Sequence, residues 1–132
     1  MTSNERLKRF LMESQLLKLA RITPEGFPHV TPVWFDVEGK DFLISTTKER
    51  KKARNLAKNN KAGFSIAPRD LPYKAVVGYG TVEMVPDPNG VLIKKFCHKY
   101  LPPDKTDKYY ASIMSEGDSR IIIKLTPTWV TS

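Results

Sequence analysis

A chain of 132 residues is most simply a single domain spanning 1–132, long enough to bury about two-thirds of its unfolded surface in one core. Its composition, 40% hydrophobic and 27% charged, contains no run near the roughly 20 apolar residues of a membrane span. No apolar signal core follows Met1–Arg6, and the single cysteine, Cys97, excludes an internal disulfide and fits a reducing cytoplasm.

In chain order, Ser3 or Asn4 can cap a first helix whose Leu7, Phe10 and Leu11 share one side. Residues 16–22 read as a strand. Pro and Gly at 23–28 mark a turn, residues 29–37 a second strand, 38–40 a tight turn and 41–46 a third strand. These three suggest an antiparallel meander. A helix over 47–59 follows, with Ala53, Leu56 and Ala57 as its apolar face. Thr46 and Glu49 have the spacing of a capping box at its start.

Residues 61–67 read as a fourth strand, 68–72 as a loop, and 73–85 as a long strand. Gly78 and Gly80 inside that strand point to a bulge, a bend or a closely approaching ligand. Proline and glycine at 86–90 break it. Residues 91–100 form an amphipathic helix, with Val91, Leu92, Lys95, Phe96 and Lys99 in pattern, and 105–114 another. The last strand, 119–126, carries Ile121-Ile122-Ile123, a run suited to burial on both sides or at an interface. An apolar segment, 126–130, ends the chain. About six strands with short connections and flanking helices predict a mainly β fold, a small closed or split β-barrel, with strand 73–85 paired to the C-terminal one.

The net charge of +8 is unevenly spread. Between Lys48 and Lys61 stand seven basic residues and one acid, Glu49, so fourteen residues carry +6 and the rest of the chain +2. A helix start already presents unpaired N–H groups and partial positive charge. Ringing it with lysine and arginine makes a phosphate site; the plainer reading is a solvated helix face. Nucleic-acid binding by this helix would need aromatics beside the charge, and 48–61 has none.

His29 and His98 are the only histidines, and adjacent Cys97 and His98 diverge by about 100° on a helix, so no zinc pair forms. Nucleophile-elbow, P-loop and dinucleotide fingerprints are absent from the sequence. Trp34 is open between stacking on a ligand and packing. Tyr109 and Tyr110 are open between covering a pocket and packing, with packing favoured.

Four motifs, Phe27–Phe35, Gly39 with Phe42–Thr46, Arg50–Leu56 and Phe64–Ile66, together resemble the pyridoxamine-phosphate-oxidase-like split-barrel family, in particular its short flavin- and deazaflavin-dependent oxidoreductases. The resemblance runs from about Leu16 to Val85 and is compatible with 122–129. It implies a homodimer with two cofactor sites at the subunit interface. It implies that Val30, Thr31, Pro32 and Val33 line the isoalloxazine ring. Ser45 and Thr46 would then lie beside the ribityl chain and phosphate, and Lys51 and Lys52 would grip the phosphate. Residues 73–75 and Trp129 would reach the site of the other subunit. With Thr47 and Arg50, the stretch from Ser45 to Lys52 is expected to clasp the phosphate.

The chain is shorter than true pyridoxamine-phosphate oxidases and lacks their C-terminal Arg-containing segment, which argues against vitamin B6 oxidation. The expected cofactor is FMN or the deazaflavin coenzyme F-420. Lys48, Arg50, Arg54 and Lys58 exceed the need of one phosphate and favour the latter's acidic tail slightly. The expected function is hydride transfer to or from a small organic substrate, chemistry supplied by the cofactor. A non-catalytic carrier or electron-transfer module is the alternative.

Overall fold

A computed structural model describes residues 16–67, 75–117 and 119–131. The expected first helix with Leu7, Phe10 and Leu11, the loop 68–72, and Tyr73 and Lys74 lie outside them. Seven strands and three helices follow in the order β1 (Leu17–Ile22), β2 (Pro28–Val33), β3 (Asp36–Glu38), β4 (Asp41–Thr47), α1 (Lys51–Lys58), β5 (Lys61–Ile66), β6 (Val76–Pro86), α2 (Val91–Tyr100), α3 (Pro103–Met114) and β7 (Arg120–Thr131).

All strands join one antiparallel sheet in the order β2-β1-β5-β6-β7-β4-β3. Its two edges, β2 and β3, are separated in sequence only by Trp34 and Phe35. The three steps from Val33 to Asp36 span at most about 11 Å, so the sheet must curl until its edges nearly meet. The result is a half-barrel. The expected strand 29–37 is therefore two strands on opposite edges, and the expected meander is two separate hairpins, β1–β2 and β3–β4.

Helix α2 clamps the bend between those edges. The Tyr100 hydroxyl accepts from the Phe35 N–H and donates to its carbonyl, each at 3.2 Å. Lys99 Nζ donates to the same carbonyl at 3.2 Å, and Lys95 pairs with buried Asp36 at 2.6 Å.

The period of two along each strand sorts side chains between faces. Leu17, Leu19, Ile44, Ile66, Ile123 and Leu125 are fully buried inside the curl. Phe42 joins Phe35 and Phe64 there, at ring distances of 6.0 and 4.8 Å. Ala53 and Leu56 of α1 close this core, while Ala57, expected on the same face, is exposed and Asn55 is buried instead. The β4–β7 pair is covered on both faces, because Leu43 and Ile122 turn outward onto Leu92, Ile93, Phe96 and Cys97 of α2. That two-sided burial is why both strands carry unbroken apolar runs.

Gly78 and Gly80 are explained by strand packing. A Cβ at Gly78 would strike the Trp129 carbonyl oxygen, and one at Gly80 the Thr126 carbonyl oxygen. The β6–β7 register slips between these glycines, and β7 runs on through Pro127 to Thr131 rather than ending near 126. The break at 86–90 caps α2: the Asp87 carboxylate accepts from the Val91 and Leu92 N–H groups, both at 3.1 Å, with Gly90 left-handed at φ 63°.

Candidate functional site

The expected capping box does not form. Thr46 and Thr47 stay extended in β4, paired with Ile121 and Arg120 of β7. Ser119 Oγ donates to the Glu49 carboxylate at 2.8 Å, which with that residue's own backbone N–H holds the Glu49 carboxyl below its usual range. Helix α1 therefore starts at Lys51, after Arg50, with no side-chain cap and no acid in its first turn. Its leading N–H groups are left for solvent or a ligand.

That bare helix start opens on a cavity of about 500 Å³. One wall is the sheet: Pro32 and Val33 of β2, Trp34, Ser45 and Thr46 of β4, and Arg120 of β7. Arg50 and Lys52 form the polar end. Ile93 and Phe96 of α2, and Tyr109, Ser112, Ile113 and Glu116 of and beyond α3, form the opposite wall. Six of the sequence-derived site residues are thus brought together: Pro32, Val33, Ser45, Thr46, Arg50 and Lys52.

The other five stand elsewhere. Thr31 points inward, its hydroxyl accepting from Arg21 at 2.6 Å. Thr47 is in the β4–β7 ladder, and Lys51 is exposed on α1. Val30 and Trp129 lie on the outer face, 57% and 48% exposed. The registers place them in one cross-strand row, Val30–Ala20–Gly63–Tyr79–Trp129, whose end is a stacked Tyr79–Trp129 pair at 5.4 Å.

Trp34 stacks on Tyr100 at 5.0 Å and 4° and meets Tyr109 at 6.0 Å, so it packs and lines the cavity at once. Tyr110 packs against the α2 cluster and donates its hydroxyl proton to the Asn89 carbonyl.

Two cations were not singled out in the sequence. Arg21, 2% exposed, donates to the Leu19 carbonyl, to Thr31 and to His29 Nδ1, the last at 2.7 Å. Arg120, 9% exposed, donates through Nη2 to Ser45 Oγ at 2.7 Å. The Nε of each is buried without a partner. Among the described residues neither makes an ion pair with a carboxylate. Arg21 was legible, since Leu17, Leu19 and Arg21 alternate onto one face and an arginine there must point inward. Nothing local marks Arg120.

Lys52 sits among these cations. Burial, then Arg21, Arg50 and Arg120, lower its pKa. Burial and Arg50 likewise lower that of Arg120, against weaker opposition from Asp87 and Glu116. Each positive charge costs its neighbours, and an entering anion would relieve all of them. Beside them lie Pro32 and Trp34, with Val33 turned toward the core. The cations suit a phosphate, and the apolar side chains next to them suit a ring. Among the described residues no group of three or more His, Cys, Asp or Glu gathers as for a metal ion, and no helix is long and apolar enough to cross a membrane.

A curled antiparallel half-barrel with an anion-attracting cavity beneath flanking helices defines a small split-barrel domain. The chain belongs to the pyridoxamine 5'-phosphate oxidase family, whose model matches residues 3–132. No curated protein matches it significantly. Among solved structures it is similar to an F420 reductase, with 28% identity, a TM-score of 0.76 and 94% of each chain covered. It is also similar to a conserved hypothetical protein from Mycobacterium tuberculosis (21% identity, TM-score 0.75, covering 98% of this chain and 83% of that one). HutZ, the heme storage protein from Vibrio cholerae, is similar at 17% identity and a TM-score of 0.70, covering 99% and 94%. The last two, at those identities, share the fold.

Proposed function

We propose that this protein binds FMN or a deazaflavin and acts as an oxidoreductase on a small organic substrate. The observation that carries the reading is the cavity itself: Arg50, Lys52 and Arg120, without a paired carboxylate among the described residues, around a bare helix start and next to apolar side chains. Lys52, Arg50, Ser45 and Thr46 would hold the phosphate, and Pro32, Val33 and Trp34 would lie against the ring. The bound group would supply the hydride chemistry. The chain's own residues then bind, orient and exclude water. That division suits a cavity whose lining among the described residues has one carboxylate, the exposed Glu116, and no histidine or cysteine.

The similarity to an F420 reductase supports the deazaflavin over FMN, in line with the surplus basic residues Lys48, Arg54 and Lys58 of the same segment. Titration of the apoprotein with each compound, followed by fluorescence, is expected to give saturable binding near micromolar. Failure of both to bind would sink the reading. The lack of a histidine, a cysteine or a buried carboxylate among the described residues lining the cavity favours one alternative, a cofactor carrier without turnover. Steady-state assays of the loaded protein with added electron acceptors separate the two. The exposed row of Val30, Tyr79 and Trp129 supports a homodimer, as a band of that kind is poorly left in water.

A further inference from the structure

We infer that Arg120 is a phosphate-binding residue, forming with Ser45 a second wall of the anion site, so that a phosphate group is held between the start of β7 and the start of α1. The inference deepens the cofactor reading and rests on it only for the phosphate's origin. A buried guanidinium in a folded protein is ordinarily paired, because desolvating it alone is costly. Arg120 is 9% exposed, yet among the described residues its guanidinium makes one hydrogen bond, to Ser45, and its Nε has none.

The nearby acids do not fill this role. Asp87 spends both carboxylate oxygens on the N–H groups opening α2, and Glu116 is exposed at the cavity rim. Ser45 takes one donor and so fixes the guanidinium plane at the cavity wall. The remaining donors match the forked acceptor pattern of a phosphate. Arg50, just before α1, and Lys52 in its first turn line the same cavity. Three positive charges on two elements suit a phosphate, whether the monoester of FMN, the diester of a deazaflavin coenzyme or free orthophosphate.

The test reads thermal unfolding of the apoprotein across an orthophosphate titration, together with calorimetric affinities for FMN and for riboflavin, which lacks the phosphate. Wild type is expected to gain melting temperature with phosphate. Arg120→Gln should lose that response and bind FMN at least about tenfold more weakly, the scale for a lost charge-assisted contact, with riboflavin affinity unchanged. An Arg120→Gln protein that keeps both the phosphate response and its FMN affinity overturns the inference. Should flavins fail to bind wild type while phosphate stabilises it and not Arg120→Gln, the cofactor reading falls and Arg120 stands. If Arg120→Gln does not fold, Ser45→Ala decides: unhooking the guanidinium should blunt the phosphate response several-fold, and an unchanged response overturns the inference.

Discussion

At the scale of single residues, the site is built from charges that the protein holds at a cost. Lys52 is depressed by burial first and then by three like charges, so its charged form is held at a cost that a bound anion would relieve. Lys52→Ala is therefore expected to weaken cofactor binding by about 1–3 kcal/mol, the range for hydrogen bonds to charged groups, while leaving apoprotein stability equal or higher. Calorimetric titration and a thermal melt of the same sample check both halves. His29 offers a second handle. Arg21 first, then partial burial, Lys51 and Lys52, lower its pKa from the ordinary 6.5, and its Nδ1 lone pair faces the Arg21 donor. The unfolded chain then takes up the proton before the folded one does. The contribution of neutral His29 is whole above about pH 6.5 and is lost as pH falls below it towards the folded pKa. Melting temperatures of wild type should slope downward with acid through that window, and His29→Gln should flatten the slope. A bound phosphate nearby should raise the His29 pKa, which an NMR titration would show as a shift of its midpoint.

Elements show where local reading succeeds and where it stops. Helices α2 and α3 and strands β1, β5 and β6 lie within a few residues of their sequence-based bounds, because apolar period and breakers act locally. The segment 29–37 failed differently. Its β-branched and aromatic content is continuous, and the bend at Trp34-Phe35 exists only because the sheet's edges are drawn together and clamped by Tyr100 and Lys99. The start of α1 failed for the same reason. Thr46 and Glu49 have capping-box spacing, but pairing with β7 and a bond from Ser119 claim both residues. Half of the cavity could be read from the helix and strands that border it. Arg120 could not, as it reaches Ser45 across 75 residues of sequence. Gly78 and Gly80 could be flagged but not resolved between ligand and strand. Their role gives a prediction: Gly78→Ala drives a methyl into the Trp129 carbonyl and should cost at least about 1–3 kcal/mol, as overpacking does, read as a lower urea midpoint with an unchanged m-value.

For the whole molecule, the question is what a curled sheet does with its outside. The inner face and the β4–β7 outer face are covered by side chains of the chain itself. The outer face of β2-β1-β5-β6-β7 is not: Val30, Tyr79 and Trp129 are 57%, 54% and 48% exposed, with Ala20 and Gly63 between them in register. Small residues flanked by a stacked aromatic pair make a shallow trough, and a trough beside its own ridge is self-complementary under a two-fold axis. A second copy can set its Tyr79–Trp129 ridge into the Ala20–Gly63 trough of the first. Trp129→Glu places a charge in such a contact, where it has no partner, and gives up the stack on Tyr79, so the melting temperature should fall modestly as the dimer is lost while the chain still folds. Light scattering is expected to give twice the chain mass for wild type and the single-chain mass for Trp129→Glu. A variant that remains dimeric would put the interface elsewhere on the barrel. If cofactor affinity falls together with the dimer, the two cavities are completed across the contact. If it holds, each half-barrel binds alone and the dimer only covers apolar surface.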